Sequence, residues 1–387
     1  MEIHGHCDDR FSPVLQAFEE NFKNSNEVGA SFAATLEGEF VVDIWGGHQD
    51  KEKLRPWQED TIIKVASTTK TMTFLCALML ADRGQLDLDA PVYKYWPEFA
   101  ANGKENVLVK HCLSHSAGLP GFSRPFTLEE MCDWDIACAD LAGQATWWEP
   151  GTQSAYHMVT QGWLIGEIVR RITGKSFGTF FKEEVADKVN ADFHIGTDSK
   201  HFQRIADVLE GDKPESLDDL NAFMDLDPDS IMGRVMAQFP EGVGEAEMAS
   251  PMFRQAEIPA GNGHGNARSV VRAQTAMAND GTAFGVELLS PAGCRRALEP
   301  QIDGVDQLMG FEIQYCMGYG RRGGGPFIPF GPLESTIWWG GAGGSSVIID
   351  TDAHMCFSYV MNQMSFDLLG DKRSDNLGLA LYAGLNG

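Results

Sequence analysis

The segment Ala66-Ser67-Thr68-Thr69-Lys70-Thr71-Met72-Thr73 constrains this chain more than any other. It follows an extended-looking run, Thr61 to Val65, and opens an apolar stretch through Phe74, Leu75, Leu78, Met79 and Leu80 that stops at Gly84. That pattern, with a serine at its head and a glycine at its foot, reads as a buried helix. On such a helix Ser67 and Lys70 stand one turn apart on one face, with Cβ atoms roughly 5–6 Å apart. A hydroxyl at a helix N-terminus meets unpaired backbone N–H groups and the positive end of the dipole, which favours an alkoxide. A lysine among apolar neighbours loses hydration of its charged form, so its pKa falls and it can take a proton near neutrality. By itself the pattern is short, and a serine before an apolar run is most often an N-cap.

The chain has 387 residues, enough for two domains, or one large domain carrying an insert, at ~150 residues each. Its 43% hydrophobic content allows a large core. A formal net charge of -25 argues against nucleic acid and anionic membrane surfaces as partners. The first ten residues lack a basic and then apolar leader pattern, and no apolar run is long enough to span a bilayer. The 8 cysteines are scattered without a Cys-x-x-Cys pair, which fits reduced thiols and a cytoplasmic location.

Taken in order, Ser12-Pro13 opens an amphipathic helix through Val14, Leu15, Phe18 and Phe22. Ala30 to Leu36 and Phe40 to Trp45, separated by Glu37-Gly38-Glu39, read as a hairpin. After Pro91 the pattern turns to helices and loops, with a clear helix through Leu164, Ile165, Ile168, Val169 and Ile172 that Gly174 stops. Strand signals return at Ser335–Trp339, Ser345–Asp350 and Met355–Met361, and a helix closes the chain around Asn376 to Leu385. Strands at both ends with helices between them imply an α/β domain of residues 1–90 and 265–387, carrying a mainly helical insert, 91–264. The acidic, turn-rich stretch 198–260 reads as a variable cap.

Four ordered stretches carry a resemblance: Ser67-Thr68-Thr69-Lys70, the run His111 to Pro120, Pro150-Gly151 followed by Tyr156, and Trp338-Trp339-Gly340-Gly341-Ala342-Gly343-Gly344-Ser345. In order and spacing they resemble the serine β-lactamase-related superfamily, and within it class C-type enzymes and the family VIII carboxylesterases. The likeness runs over most of the chain and is weakest across 198–260. It implies an antiparallel sheet flanked by helices, as in β-lactamases and penicillin-binding proteins, with the helical domain inserted. It further implies Ser67, Lys70 and Tyr156 as catalytic residues, and an oxyanion hole from the Ser67 and Ala342 N–H groups. Trp339, Gly340, Gly341, Met158 and Trp148 would then contact substrate, with no cofactor or metal. Trp147-Trp148 alone reads equally as core or as the apolar wall of an acyl pocket.

Other motifs read as ordinary structure. Gly174-Lys175-Ser176-Phe177-Gly178 fits Gly-x-Ser-x-Gly, yet a helix precedes it, so Ser176 reads as an N-cap. Gly318-Tyr319-Gly320-Arg321-Arg322-Gly323 matches a dinucleotide fingerprint, but Gly324, Gly325 and Pro326 follow instead of a helix. A mobile loop is expected there, with Arg321 or Arg322 able to steer anionic groups. His4, His6 and Cys7 lack a second cluster to complete a metal site. His111 and His115 read as satisfied core histidines, and His264 receives no role.

Two departures refine the expectation. β-Lactamases of this type carry a lysine where this chain has Trp339, and an asparagine where it has Met158. A cation for a carboxylate and an amide for hydrogen bonds are both replaced by apolar groups. The chain is therefore expected to hydrolyse small-molecule esters of short- to medium-chain acids through an acyl-Ser67 intermediate. Acyl transfer, amide hydrolysis and β-lactam cleavage are the alternatives at the same site, and a non-catalytic scaffold is the alternative of another class. Oligomeric state is left open.

Overall fold

A computed structural model of the chain describes residues 1–211, 227–240, 243–323, 331–365 and 370–386. Nine strands form the main sheet: β1 (Ile3–Cys7), β2 (Gly29–Leu36), β3 (Glu39–Gly47), β4 (Ile302–Val305), β5 (Glu312–Tyr315), β6 (Gly320–Gly323), β7 (Thr336–Gly340), β8 (Ser346–Asp350) and β9 (Met355–Met361). Their spatial order is β1-β3-β2-β9-β8-β7-β6-β5-β4, antiparallel throughout. The main helices are α1 (Ser12–Asn24), α2 (Lys70–Asp82), α3 (Thr160–Thr173), α4 (Ala267–Ala278) and α5 (Lys372–Asn386).

Local chemistry sets the register. The β2–β3 hairpin turns through Glu37 and Gly38, both at positive φ (51° and 85°), the twist that a two-residue hairpin loop favours. The β8–β9 turn is held by the Asp350 carboxylate, which accepts the Asp352 and Ala353 N–H groups. The centre of the sheet joins the chain's two halves, with β2 paired to β9 from Ala30–Met361 to Leu36–Met355.

Alternation along β2 gives the sheet two different faces. On one face Ser31 accepts the Ala267 N–H and Thr35 bonds Thr275, both on α4. On the other, the Phe32 and Phe357 rings meet at a tilt, and Phe357 meets Tyr382 of α5. α1 lies beside α5, where the Asn21 amide donates to Arg373 O. α2 is apolar all round and buried from Lys70 to Leu80, as a helix between two layers must be.

From Val92 to Gln255 every regular element described is helical. The described part of the expected cap is a few short helical turns, and its residues 212–226 and 241–242 lie outside the described residues. Three short strands, β4 to β6, were not expected. Gly320–Gly323, expected as a mobile loop, is strand β6 between β5 and β7. Gly324, Gly325 and Pro326, and the Arg322 side chain, lie outside the described residues. In the extended run before Ser67, Ile63–Lys64 pair with His264–Gly265, and Ile62 bridges Ile205.

Candidate active site

Ser67 sits in a 3-10 turn, Ala66–Thr69, that runs directly into α2. The residue before it, Ala66, is at φ 45°, a left-handed conformation that alanine rarely adopts. Thr69 braces this corner: its hydroxyl donates to Ala66 O and accepts the Gly263 N–H. Ser345 braces it from the sheet side, donating to Val65 O and bonding Thr68. Gly341 passes so close that a Cβ there would lie 2.4 Å from Val65 O and 3.1 Å from Ser67 N. Only glycine fits that approach.

Lys70 is buried, and its Nζ lies 3.3 Å from Ser67 Oγ, 2.5 Å from Met158 O and 2.8 Å from Ala260 O. Burial holds its pKa well below the ordinary lysine value. Two carbonyls can take the two N–H bonds of a neutral amine, which leaves the lone pair directed at the serine hydroxyl. Neither carbonyl was foreseeable, because a backbone oxygen has no residue-type signature.

Tyr156 lies in an irregular segment before α3, its ring 4.8 Å from Lys70 Nζ. Burial raises the pKa of its phenol, while Ser67 and the Trp339 indole pull it back down. The Tyr156 hydroxyl and Trp339 Nε1 are both buried, and neither is taken by another protein group in good hydrogen-bond geometry. The rings of His115, Tyr315 and Trp339 pack around them, with His115 4.9 Å and Trp339 5.4 Å from the Tyr156 ring.

The backbone N–H groups of Ser67 and Ala342 donate to no backbone carbonyl among the described residues. Ala342 is exposed in the turn after β7, and it lines the same cavity as Ser67. That cavity is about 420 Å³ and mostly apolar, and six methionines line it: Met131, Met158, Met236, Met248, Met361 and Met364. Leu128, Phe239, Val243 and Phe253 complete much of the wall.

Several residues expected at the substrate stand outside the cavity wall, as do Lys70 and Tyr156. Trp339 is 0% exposed and stands behind Tyr156, so its indole does not line the cavity. Gly340 and Gly341 are likewise buried and absent from the wall. Trp148 points elsewhere, donating its indole N–H to Gln153 O. Arg321 is also engaged away from the cavity, donating to Leu298 O and Leu333 O. Met158 does line the cavity, alongside the methionines that sequence reading passed over.

Ser176 caps the helix Phe177–Phe181 and bonds Glu257. His115 is buried and hydrogen-bonded, and burial pushes its pKa well down. His264 bonds Thr197. His6 pairs with Asp8, and among the described residues no group of three or more metal-ligating side chains is assembled. No helix among them is long and apolar enough to cross a membrane.

A nine-stranded antiparallel sheet with a buried Ser-x-x-Lys helix packed beside its strand β7 is the fold of β-lactamases and penicillin-binding proteins. The family model described as Beta-lactamase matches residues 15–381, and the chain belongs to that family. A curated relative, the Esterase/beta-lactamase LipL of Mycobacterium tuberculosis, is 31% identical over 97% of this chain and 87% of its own. The crystal structure of a family VIII carboxylesterase superposes with a TM-score of 0.90 at 36% identity, covering 99% of this chain and 100% of that one. A penicillin-binding protein homologue from Caulobacter crescentus gives a TM-score of 0.87 at 36% identity, with coverage of 99% and 100%.

Proposed function

We propose that this chain is a serine carboxylesterase that acylates Ser67 and returns the acyl group to water. Its relatives support a serine hydrolase acting on small-molecule esters. The observation that carries the reading within the molecule is the buried Lys70 amine, whose two carbonyl partners leave one direction open, toward Ser67. In that direction the amine takes the serine proton as Oγ attacks the ester carbonyl. The oxyanion that forms meets the Ser67 and Ala342 N–H groups. Tyr156 passes the proton to the leaving alcohol oxygen, and a water then repeats the sequence on the acyl-serine. The apolar cavity takes the acyl group, which favours short- to medium-chain acids without a charge.

In this reading the cleft lies between the sheet unit, 1–90 with 265–387, and the helical insert, 91–264. Ser67 and Ala342 come from the first, Tyr156 and Met158 from the second. The eight cysteines are unpaired, which supports a cytoplasmic setting. β-Lactam cleavage is a second reading, favoured by the double name of the mycobacterial relative. It is the weaker one, because Trp339 and Met158 offer a substrate carboxylate and amide no partner. A fluorophosphonate probe should label Ser67 and no other residue, and p-nitrophenyl esters of graded length should be cleaved. Labelling elsewhere, or activity retained in Ser67→Ala, would overturn the assignment.

A further inference from the structure

The segment carrying Tyr156 has no helix or strand to hold it, since residues 153–157 are irregular. Its backbone is nonetheless fixed at three successive peptides. The Ala155 N–H donates to His115 O at 3.1 Å, the Tyr156 N–H to Asp306 Oδ1 at 3.1 Å, and the His157 N–H to His115 Nδ1 at 3.0 Å. One step earlier, Ser154 O accepts the Gln307 N–H. We propose that His115 and Asp306 are positioning residues that clamp this segment, and so fix where the Tyr156 hydroxyl stands relative to Ser67 and Lys70. This rests on the serine-esterase reading above.

Both residues are equipped for the task. Asp306 is 0% exposed, and its carboxylate accepts four hydrogen bonds. Two, from Leu308 and Met309 N–H, shape its own turn, as an aspartate in a loop commonly does. The other two reach away: one to Tyr156 N–H, one from the Tyr315 hydroxyl at 3.0 Å. Tyr315 in turn packs on His115 and Trp339, the rings against which Tyr156 leans. Asp306 therefore holds Tyr156 by its backbone directly and by its ring through Tyr315.

His115 acts from the other side. Its own φ of 57° is left-handed, which turns its carbonyl and its ring toward the same segment. Because Nδ1 accepts the His157 N–H, the neutral ring carries its proton on Nε2. A charged imidazolium could not make that bond, and burial keeps the ring neutral. Neither residue lines the acyl cavity.

The charges facing Tyr156 set a further expectation. Lys70 faces it from α2, Asp306 from the loop after β4, and His115 and His157 lie alongside, with Trp339 and Tyr315 as neutral walls. Asparagine at 306 keeps an oxygen for the peptide N–H groups but removes the negative charge. That loss favours the phenoxide of Tyr156, so its pKa moves down.

The test is steady-state hydrolysis of p-nitrophenyl butyrate by Asp306→Ala, Asp306→Asn, Tyr315→Phe and His115→Ala, beside Ser67→Ala, with folding checked by circular dichroism. Asp306→Ala should lose about 10²-fold in kcat with KM within about twofold, the signature of a displaced proton donor. Asp306→Asn should recover to within about tenfold of wild type, with its pH–rate profile moved about half a unit lower. A folded Asp306→Ala with kcat within about threefold of wild type would overturn the clamp. If Asp306→Ala does not fold, Asp306→Asn decides: an unmoved pH profile overturns the proposal. An active Ser67→Ala would instead remove the esterase reading on which the proposal stands.

Discussion

Two walls meet at Ser67, and they are built on different terms. Behind the serine, Tyr156, His115, Tyr315 and Trp339 are buried rings packed 4.9–5.9 Å apart. Their neighbours are fixed by hydrogen bonds from residues far apart in the chain. In front, the cavity is lined largely by methionines and by residues on short helices such as Ile231–Met236 and Pro251–Gln255. Rigid planar rings admit one arrangement, whereas a thioether chain with three rotatable bonds fills gaps of several shapes. For the proposed reaction, the contrast teaches that the proton path would have one geometry while the acyl group would meet an adaptable surface.

The comparison fails first if the rear wall is not where chemistry happens. Ser67→Ala should lower kcat by roughly 10³-fold or more, while Ser176→Ala, the capping serine, should leave it unchanged. Lys70→Arg should be as inactive as Lys70→Ala, because arginine cannot lose its proton near neutrality. With Lys70 depressed by burial, kcat/KM should rise with pH through an apparent pKa well below the ~10.4 of a free lysine. An arginine variant with substantial activity would reduce Lys70 to a source of electrostatic attraction.

Smaller effects sharpen the contrast. For p-nitrophenyl butyrate, kcat/KM should exceed that for a chromogenic cephalosporin by about a hundredfold. Each absent charge-assisted hydrogen bond forfeits about 1.5–3 kcal/mol. Equal efficiencies would mean that the front wall holds a partner for the β-lactam carboxylate. Trp339→Phe removes the buried Nε1–H beside Tyr156 together with the five-membered ring of the indole, so a loss of about tenfold in kcat is expected. Met236→Leu, on the adaptable wall, should change kcat/KM for butyrate by less than about threefold, and instead shift the preferred chain length. A hundredfold loss there would erase the distinction between the walls.

Sequence and structure agree where side-chain identity carries the information. The apolar run of α2, the Ser67–Lys70 spacing, the β2–β3 hairpin and the strands β7 to β9 were all legible, because periodicity and turn residues mark them. The corner at Ala66 was not, since alanine gives no sign of a positive φ. The Met158 and Ala260 carbonyls that meet Lys70 are backbone atoms, invisible to any reading of residue types. Trp339 was expected against the substrate because its motif adjoins the site. In fact it faces inward from β7 onto Tyr156 and Phe74, and period-two alternation alone cannot choose between two buried faces. β4 to β6 are short and broken by polar residues and glycines, so their pairing depends on neighbours that arrive from elsewhere in the chain.

The pairing of β2 with β9 has a consequence for how the molecule comes into being. Residues 29–36 wait with an open edge for residues 355–361, which are made much later in the chain. Until then α2 has no completed sheet to lie beneath, and the turn after β7 that carries Ala342 is itself made only shortly before. The nascent chain therefore carries Ser67 without the proposed oxyanion turn until residue 342 is made. A chain cut before residue 355 would leave β2 and β8 with bare edges, and should aggregate rather than work as a slower enzyme.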